Sequence, residues 1–174
     1  MTELFHNSDI ESDEEIKKDL SVLPFKSGVL SQWHQCKFTV GDLTFSSAEQ
    51  WMMYQKAMLF GDNEIAEQIM KVNNCMRIKA LGRKVHGFNP KVWNTRRFQI
   101  VIEGNIHKFS NSVILQKALI DTNYRTLVEG SRTDAIWGVG LDSSDPRCLD
   151  KTKWRGMNLL GKALEVVREE LRKN

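Results

Sequence analysis

Residues 46–60 constrain the fold more than any other segment, because a helix formed there is apolar in almost every direction. At about 100° per residue, Glu49 and Lys56 project only about 20° apart. Met52, Met53 and Phe60 lie around the line that they define. A helix that is apolar on most sides is covered by the rest of the chain. The carboxylate and the ammonium within this surface are therefore either buried in the core or face a pocket.

Burial decides what Glu49 and Lys56 can do chemically. Burying an isolated charge is costly unless the charge is paired or neutralised. A pocket would shift the pKa values of both groups, and this is the condition under which a glutamate acts as a general acid/base and a lysine as a nucleophile. Two structural alternatives stay open: Ser46 and Glu49 fit a capping box, and Lys56 fits a side chain that extends along the helix into water.

Length and composition set the class of protein. The 174 residues are enough for one domain with a single core, and no apolar run approaches the roughly 18 residues of a membrane span. The first residues lack the basic and apolar regions of a signal peptide, so we expect a cytoplasmic protein, with a nuclear location also compatible. The three cysteines and four histidines are dispersed, which predicts no disulfide framework, no metal site and no cofactor.

The charge is unevenly distributed along the chain. Residues 1–20 contain seven acidic and two basic side chains, whereas the whole chain contains 25 basic and 22 acidic ones. The rest of the chain is therefore basic, which suits an anionic partner such as the phosphates of a nucleotide or a nucleic acid. A lysine-rich soluble surface without such a partner is the alternative. We predict an acidic arm over residues 1–24, disordered or a short helix, and a domain over residues 25–174.

The hydrophobic pattern predicts an α+β fold, a compact and mainly helical single domain with a small β-hairpin. Gly41-Asp42 joins two alternating runs, 38–40 and 43–45, and suits a type II′ turn. Helices are predicted over residues 46–60, 63–72, 77–85 and 90–109, and a strand over residues 124–128. A last amphipathic helix carries apolar residues at spacings of three and four: Met157, Leu160, Leu164, Val167 and Leu171.

Two further groups of residues are candidates for ligand contacts. In a glycine-rich loop, Asp134 and Trp137 precede Gly138, which places a carboxylate and an indole beside small residues. Arg83 and Lys84 are adjacent cations that suit a phosphate, because arginine binds phosphate through two parallel hydrogen bonds. A solvated basic face explains the second group equally well.

Several separate motifs stand in the order found in one known family. They are Leu30-Ser31-Gln32-Trp33, residues 45–57, Lys79-Ala80-Leu81-Gly82-Arg83, Gly104-Asn105, Asp134 with Ile136-Trp137-Gly138-Val139-Gly140, and Trp154-Arg155-Gly156-Met157-Asn158. From about Phe25 onward the chain resembles the NADAR (NAD and ADP-ribose) family, and within it the YbiA-like N-glycosidases. Residues 1–20 and the stretch Glu129-Gly130-Ser131-Arg132 depart from the family pattern.

The resemblance implies an N-glycoside hydrolase, which cleaves a bond between ribose and a base-derived nitrogen. It implies that Glu49 and Lys56 are the catalytic residues. Lys56 would form a Schiff base with C1 of the opened ribose while Glu49 moves the proton. In the alternative, Glu49 activates water directly and Lys56 only stabilises charge. The predicted substrate-binding residues are Trp93, Asp134, Trp137, Gly138, Arg83, Lys84 and Asn105.

Two substrate classes are associated with the family: ADP-ribose on guanine bases of nucleic acid, and phosphoribosylamino-pyrimidine intermediates of riboflavin synthesis. The basic body of the chain favours the first class, so the predicted function is removal of ADP-ribose from guanine bases. The alternatives are an N-glycosidase of the riboflavin intermediates and a module that binds NAD or ADP-ribose without turnover. We expect no membrane partner, and the sequence does not indicate a particular protein partner.

Overall fold

A computed structural model describes residues 21–173 of the chain. The strands are β1 (Val22–Phe25), β2 (Phe38–Val40), β3 (Leu43–Phe45) and β4 (Thr126–Glu129). The helices are α1 (Ala48–Leu59), α2 (Asn63–Met70), α3 (Cys75–Gly82), α4 (Pro90–Ser110), α5 (Val113–Ile120) and α6 (Leu159–Arg172), and two short 3₁₀ turns cover Pro146–Leu149 and Lys151–Lys153. Helices dominate and the strands are short, which confirms the predicted α+β class.

The predicted acidic arm falls largely outside the described residues. Residues 1–20 are not described, so the division into residues 1–24 and 25–174 stays a prediction. The described chain forms two compact units, each built from two separate stretches. The strand unit contains the described residues up to Phe25 together with Thr122–Gly161. The helical unit contains Lys26–Asp121 together with the described residues from Lys162 onward.

The strand unit is organised around a parallel pair, β1 and β4, in which Val22 faces Thr126 and Phe25 faces Glu129. Its buried core consists of Val22, Val128, Val139, Leu141 and Cys148. Strand β1 was not predicted, because its four residues include Pro24 and proline weakens the signal of a strand. The predicted strand at residues 124–128 begins later, at Thr126, and the side chain of Tyr124 is exposed.

In the helical unit, β2 and β3 form the predicted antiparallel hairpin, with Phe38 opposite Phe45. Gly41, the first turn residue, has a φ of 58°, which is the left-handed conformation that the predicted turn requires at this position. The rings of Phe38 and Phe45 stack with their centroids 5.6 Å apart, and Phe45 packs edge-on against Trp51, 5.2 Å away. The hairpin therefore anchors the beginning of α1.

Helix α1 packs closely against both α3 and α4, as its apolar surface requires. The indole of Trp51 crosses α4 at Gly104 and donates a 2.8 Å hydrogen bond from Nε1 to the carbonyl of Ile100. Met53 crosses α3 at Gly82 in the same way. A Cβ at either glycine would overlap these side chains, so the missing side chains bring the helix axes together.

The helix predictions hold for most of the chain and differ from the structure at three places. Helix α5 was not predicted. Helix α3 begins at Cys75, two residues before the predicted start, because the side chain of Asn74 accepts a hydrogen bond from the backbone N–H of Arg77. The last helix begins at Leu159, so the placement of Met157 on its apolar face is wrong, and Met157 is exposed. The other four apolar residues of that helix are buried as predicted: Leu160, Leu164, Val167 and Leu171.

Candidate active site

Lys56, on the last turn of α1, lies among aromatic rings rather than in open solvent. Its Nζ is 4.2 Å from the ring centroid of Phe88 and 5.7 Å from that of Trp93. The same Nζ donates a 2.7 Å hydrogen bond to the backbone carbonyl of Gly82, the last residue of α3. The side chain is half-buried. Lys56 therefore has a fixed position in this site, unlike a side chain that extends freely into water.

The surroundings of Lys56 favour the neutral amine. Burial lowers the pKa of Lys56 below its ordinary value, and the nearby guanidinium of Arg83 lowers it further. The ring of Phe88 and the carbonyl of Gly82 favour the charged ammonium, since both present partial negative charge to Nζ. The net direction is downward, so the amine loses its proton more readily than that of an exposed lysine.

The aromatic surroundings of Lys56 come from the start of α4 and the loop before it. Trp93 lies on the first turn of α4, and the side chain of Trp93 is buried. The side chain of Asn89 caps this turn by accepting hydrogen bonds from backbone N–H groups at the start of α4. Phe88 packs edge-on against Phe60 with ring centroids 5.4 Å apart. Trp93 was predicted as a site residue, whereas Phe88 was not. The signal available in the sequence was an aromatic residue directly before a helix cap.

A hydrogen-bonded pair fixes the loop that carries Phe88. The Oδ2 of Asp62 accepts a 2.8 Å hydrogen bond from the backbone N–H of His86. The same oxygen lies 2.8 Å from Nδ1 of the His86 ring. The Oδ1 of the same carboxylate accepts from the N–H of Ile65 and so caps α2. The backbone hydrogen bond from His86 is the main reason that the pKa of Asp62 is lowered. Asp62 thereby ties the 83–89 loop to the beginning of α2.

Glu49 is buried in the first turn of α1, with only 3% of its surface exposed. The helix cap is formed by other residues: Ser47 Oγ accepts from the N–H of Gln50, and Gln50 Oε1 accepts from the N–H of Ser46 at 2.7 Å. The alternative in which Ser46 and Glu49 form a capping box is therefore wrong, because the helix begins one residue later than that box requires. Capping does not account for the buried carboxylate.

Glu49 and Lys56 lie toward opposite ends of α3. Burial raises the pKa of Cys75, the first residue of α3, and the negative charge of Glu49 raises it further, which places the carboxylate near that end. Lys56 contacts Gly82 at the other end. The amino-terminal end of a helix carries partial positive charge and the carboxyl-terminal end partial negative charge. Lys56 therefore contacts a helix end whose partial charge is opposite to that of its ammonium.

Two buried side chains near Glu49 keep unpaired polar atoms. Asn105, on α4, is fully buried and donates through Nδ2 to Oε1 of Gln32 and to the carbonyl of Val101, both at 2.8 Å. Its Oδ1, and Nε2 of Gln32, have no hydrogen-bond partner among the described residues. The carbonyl of Gln32 accepts the N–H of Glu49 at 3.0 Å, so the three residues are neighbours. Unpaired buried amide groups are costly, but both atoms are closed to solvent, so the predicted role of Asn105 in substrate binding stays a prediction.

Asn105 was a predicted site residue, and Gln32 was not. Gln32 lies in Leu30-Ser31-Gln32-Trp33, one of the motifs that carry the family resemblance. A second residue of α4 holds this segment in place, since Nζ of Lys108 donates to the carbonyls of Val29 at 2.6 Å and Ser31 at 2.9 Å. Burial of Lys108 lowers its pKa to about 8.

Arg83 and Lys84 lie in different surroundings although they are adjacent in sequence. Arg83 caps the end of α3 and is close enough to Lys56 to lower its pKa. Lys84 lines a separate groove along α3. Both side chains are exposed. Their predicted role in binding one phosphate stays a prediction.

In the strand unit, Asp134, Trp137 and Gly138 form the predicted loop. The Oδ1 of Asp134 accepts from the N–H groups of Ile136 at 2.9 Å and Trp137 at 2.8 Å, so the carboxylate shapes the turn. A Cβ on Gly138 would lie 2.9 Å from the carbonyl oxygens of Asp134 and Glu129, which explains the need for glycine. Their role in substrate binding stays a prediction.

Neither a metal centre nor a membrane span is found among residues 21–173. The His, Cys, Asp and Glu side chains in this range form no group of three that suits a metal ion. None of its helices is both long enough and apolar enough to cross a bilayer.

The chain is similar to known proteins in sequence and in fold. An N-glycosidase of Acanthamoeba polyphaga mimivirus is 44% identical to the chain over 147 residues, covering 82% of this chain and 86% of the viral protein. A riboflavin biosynthesis protein of Vibrio vulnificus is 27% identical and covers 84% of this chain, but only 36% of its own length is matched. The NMR structure of the E. coli protein YbiA superimposes with a TM-score of 0.73 at 26% identity, covering 88% of this chain and 86% of YbiA.

The curated relatives that are named N-glycosidases define the class as hydrolases acting on N-glycosyl bonds, which confirms the class predicted from the sequence. The NADAR domain family matches residues 22–172. The chain therefore belongs to the NADAR family, and its fold is that of YbiA.

Proposed function

We propose that this chain removes ADP-ribose from guanine bases in nucleic acid, with Lys56 as the nucleophile and Glu49 as the general acid and base. The observation that carries the proposal is the position of the Lys56 amine. It is half-buried beside Phe88 and Trp93, has a lowered pKa and lies on the same face of α1 as the buried Glu49. A lysine used only for solubility needs none of these features.

The proposed reaction has two stages. The neutral amine of Lys56 adds to C1 of the opened ribose, and the bond between C1 and the guanine nitrogen breaks. Glu49 donates a proton to the leaving nitrogen, and a Schiff base links Lys56 to C1. In the second stage Glu49 accepts a proton from a water molecule that adds to C1. Loss of the amine then releases the sugar as an aldehyde and restores Lys56.

Several described residues suit the parts of such a substrate. Trp93 and Phe88 suit stacking with the base or the sugar face. Arg83 suits the diphosphate of ADP-ribose, since it is exposed and close to Lys56.

A second candidate function is hydrolysis of phosphoribosylamino-pyrimidine intermediates of riboflavin synthesis. One observation favours it: the relative in Vibrio vulnificus is named a riboflavin biosynthesis protein. That match covers only 36% of the Vibrio protein. A single phosphate also needs less positive charge than the basic body of this chain provides.

Mass spectrometry of reaction products tests the two candidates side by side. Wild-type protein and the Glu49→Gln variant are incubated with a guanine-ADP-ribosylated oligonucleotide and, separately, with the phosphoribosylamino-pyrimidine. We expect the wild type alone to release ADP-ribose from the oligonucleotide. Cleavage of the pyrimidine alone would establish the second function instead. If neither substrate gives a product, both proposals are wrong, and the alternative of a module that binds such ligands without turnover stays.

A further inference from the structure

A basic groove of about 700 Å³ runs along α3 in the helical unit. Its cationic side chains are Lys71, Arg77 and Lys84, and the described residues that line it include no aspartate or glutamate. The amides of Asn73 and Asn74 add polar groups to its wall. The groove therefore presents positive charge and hydrogen-bond donors to whatever enters it.

The arrangement of the groove follows from the spacing of residues on α3. Arg77, Ala80 and Leu81 recur at intervals of three and four on α3, which places them on one helical face. Lys84 lies two residues beyond the end of α3 and lines the same groove. Ala80, a small residue, lies between Arg77 and Lys84 in the sequence. The groove thus allows a chain of anionic groups to approach closely and to contact cations on the helix and beyond its end.

The charges in the groove are poorly neutralised. Lys71 lies 3.9 Å from Glu67, and both side chains are 76% exposed, so this ion pair is weak. Arg77 and Lys84 form no ion pair with a carboxylate within residues 21–173. Two unpaired cations in one groove favour an anionic ligand with more than one charge.

The groove ends close to the candidate active site. Leu81 and Lys84 line the groove, and Gly82 between them accepts the hydrogen bond from Lys56. The eight residues of α3 span about 12 Å, which is long enough for more than one phosphate of a nucleic-acid strand. A small phosphorylated sugar held at Lys56 would occupy only one end of this length.

We propose that this groove binds the phosphate backbone of single-stranded nucleic acid beside the modified base. Enzymes that act on a base need that base outside the duplex stack, which a single strand provides. The inference rests on the proposed function for the identity of the modified base. The groove itself is testable without that reaction.

The test measures binding of an unmodified, fluorescently labelled single-stranded DNA by anisotropy over a range of salt concentrations. The double variant Lys71→Gln/Arg77→Gln is compared with the wild type and with the control Lys37→Gln/Lys117→Gln. The control removes the same charge from exposed positions outside the groove. We expect the groove variant to bind about tenfold more weakly and its salt slope to fall by about 1.4, since each phosphate contact contributes about 0.7. We expect the control to bind like the wild type.

Three results would overturn the proposal: a wild type that does not bind the DNA, equal loss in the groove variant and the control, or equal displacement of the DNA by poly(L-glutamate) at the same charge concentration. The last result would identify a general acidic-polymer site. Hydrolysis of an ADP-ribosylated guanosine nucleoside is measured in parallel, and we expect the groove variant to retain it. Loss of DNA binding with that activity intact separates the groove from the reaction. DNA binding without hydrolysis by the wild type would leave the groove standing and contradict the proposed function.

Discussion

The Nζ of Lys56 lies 2.7 Å from the carbonyl oxygen of Gly82, so the candidate nucleophile is hydrogen-bonded to the carboxyl-terminal end of α3. This contact depends on the close packing of α1 and α3, which the missing side chain of Gly82 permits beside Met53. The partial negative charge at this helix end stabilises a cation. A protonated Schiff base on Lys56 would receive the same stabilisation, which suits the proposed intermediate.

Replacement of Lys56 distinguishes a nucleophile from a charge stabiliser. We expect both Lys56→Ala and Lys56→Arg to lower kcat at least about 100-fold, because arginine keeps the positive charge but forms no Schiff base. Wild-type protein treated with substrate and cyanoborohydride should gain the mass of the sugar on Lys56. Activity of Lys56→Arg within about tenfold of the wild type would instead support direct attack by water activated by Glu49.

Arg83 should control the pH dependence of the reaction. Its charge lowers the pKa of Lys56, although burial is the larger cause. The reaction needs the neutral amine, so kcat/KM should rise with pH as Lys56 loses its proton. Arg83→Gln should raise the pKa of Lys56 and move this rise to higher pH, whereas Arg83→Lys should leave it in place. A rise that does not move in the glutamine variant would show that another group controls the profile.

Lys108 should make stability depend on pH in the alkaline range. Burial lowers its pKa in the folded chain from 10.5 to about 8. Between these values the unfolded chain holds a proton that the folded chain has released, so the free energy of unfolding should increase as the pH rises. Denaturant unfolding of Lys108→Met should show a smaller increase than the wild type. The exposed Lys117→Met variant serves as the control and should retain the wild-type increase.

Gly104→Ala should destabilise the helical unit although alanine favours helices. The added Cβ would lie 2.7 Å from Nε1 of the rigid, buried indole of Trp51. Overpacking of this kind costs about 1–3 kcal/mol, more than the gain of about 1 kcal/mol from helix propensity. Denaturant unfolding measures the difference, with the exposed Thr95→Ala as a control on the same helix. An increase in stability would contradict the packing argument.

Local patterns were sufficient to predict most of the helical unit. The hairpin was predictable because Gly41-Asp42 interrupts two alternating runs, and α1 because its apolar residues surround Glu49 and Lys56. Strand β1 was not predictable, because its partner β4 lies about 100 residues away and only the fold brings them together. The family resemblance, and not periodicity, identified the class of enzyme.

The candidate site was predictable only where residues share a helix. Glu49 and Lys56 share α1, and their common face follows from helix geometry alone. The contact of Lys56 with Phe88 and the approach of Gln32 to Asn105 join distant parts of the chain. No local pattern reports such contacts. The orientation of Arg83 and Lys84 in different directions likewise depends on where α3 ends.

The two-part construction of each unit imposes an order on the synthesis of the chain. Strand β1 leaves the ribosome about 100 residues before its partner β4, a delay of about 5–20 s. The segment from Lys162 onward, which completes the helical unit, is made after the described residues of the strand unit. No single cut of the polypeptide releases both units whole, so each unit waits for a segment that is made after part of the other.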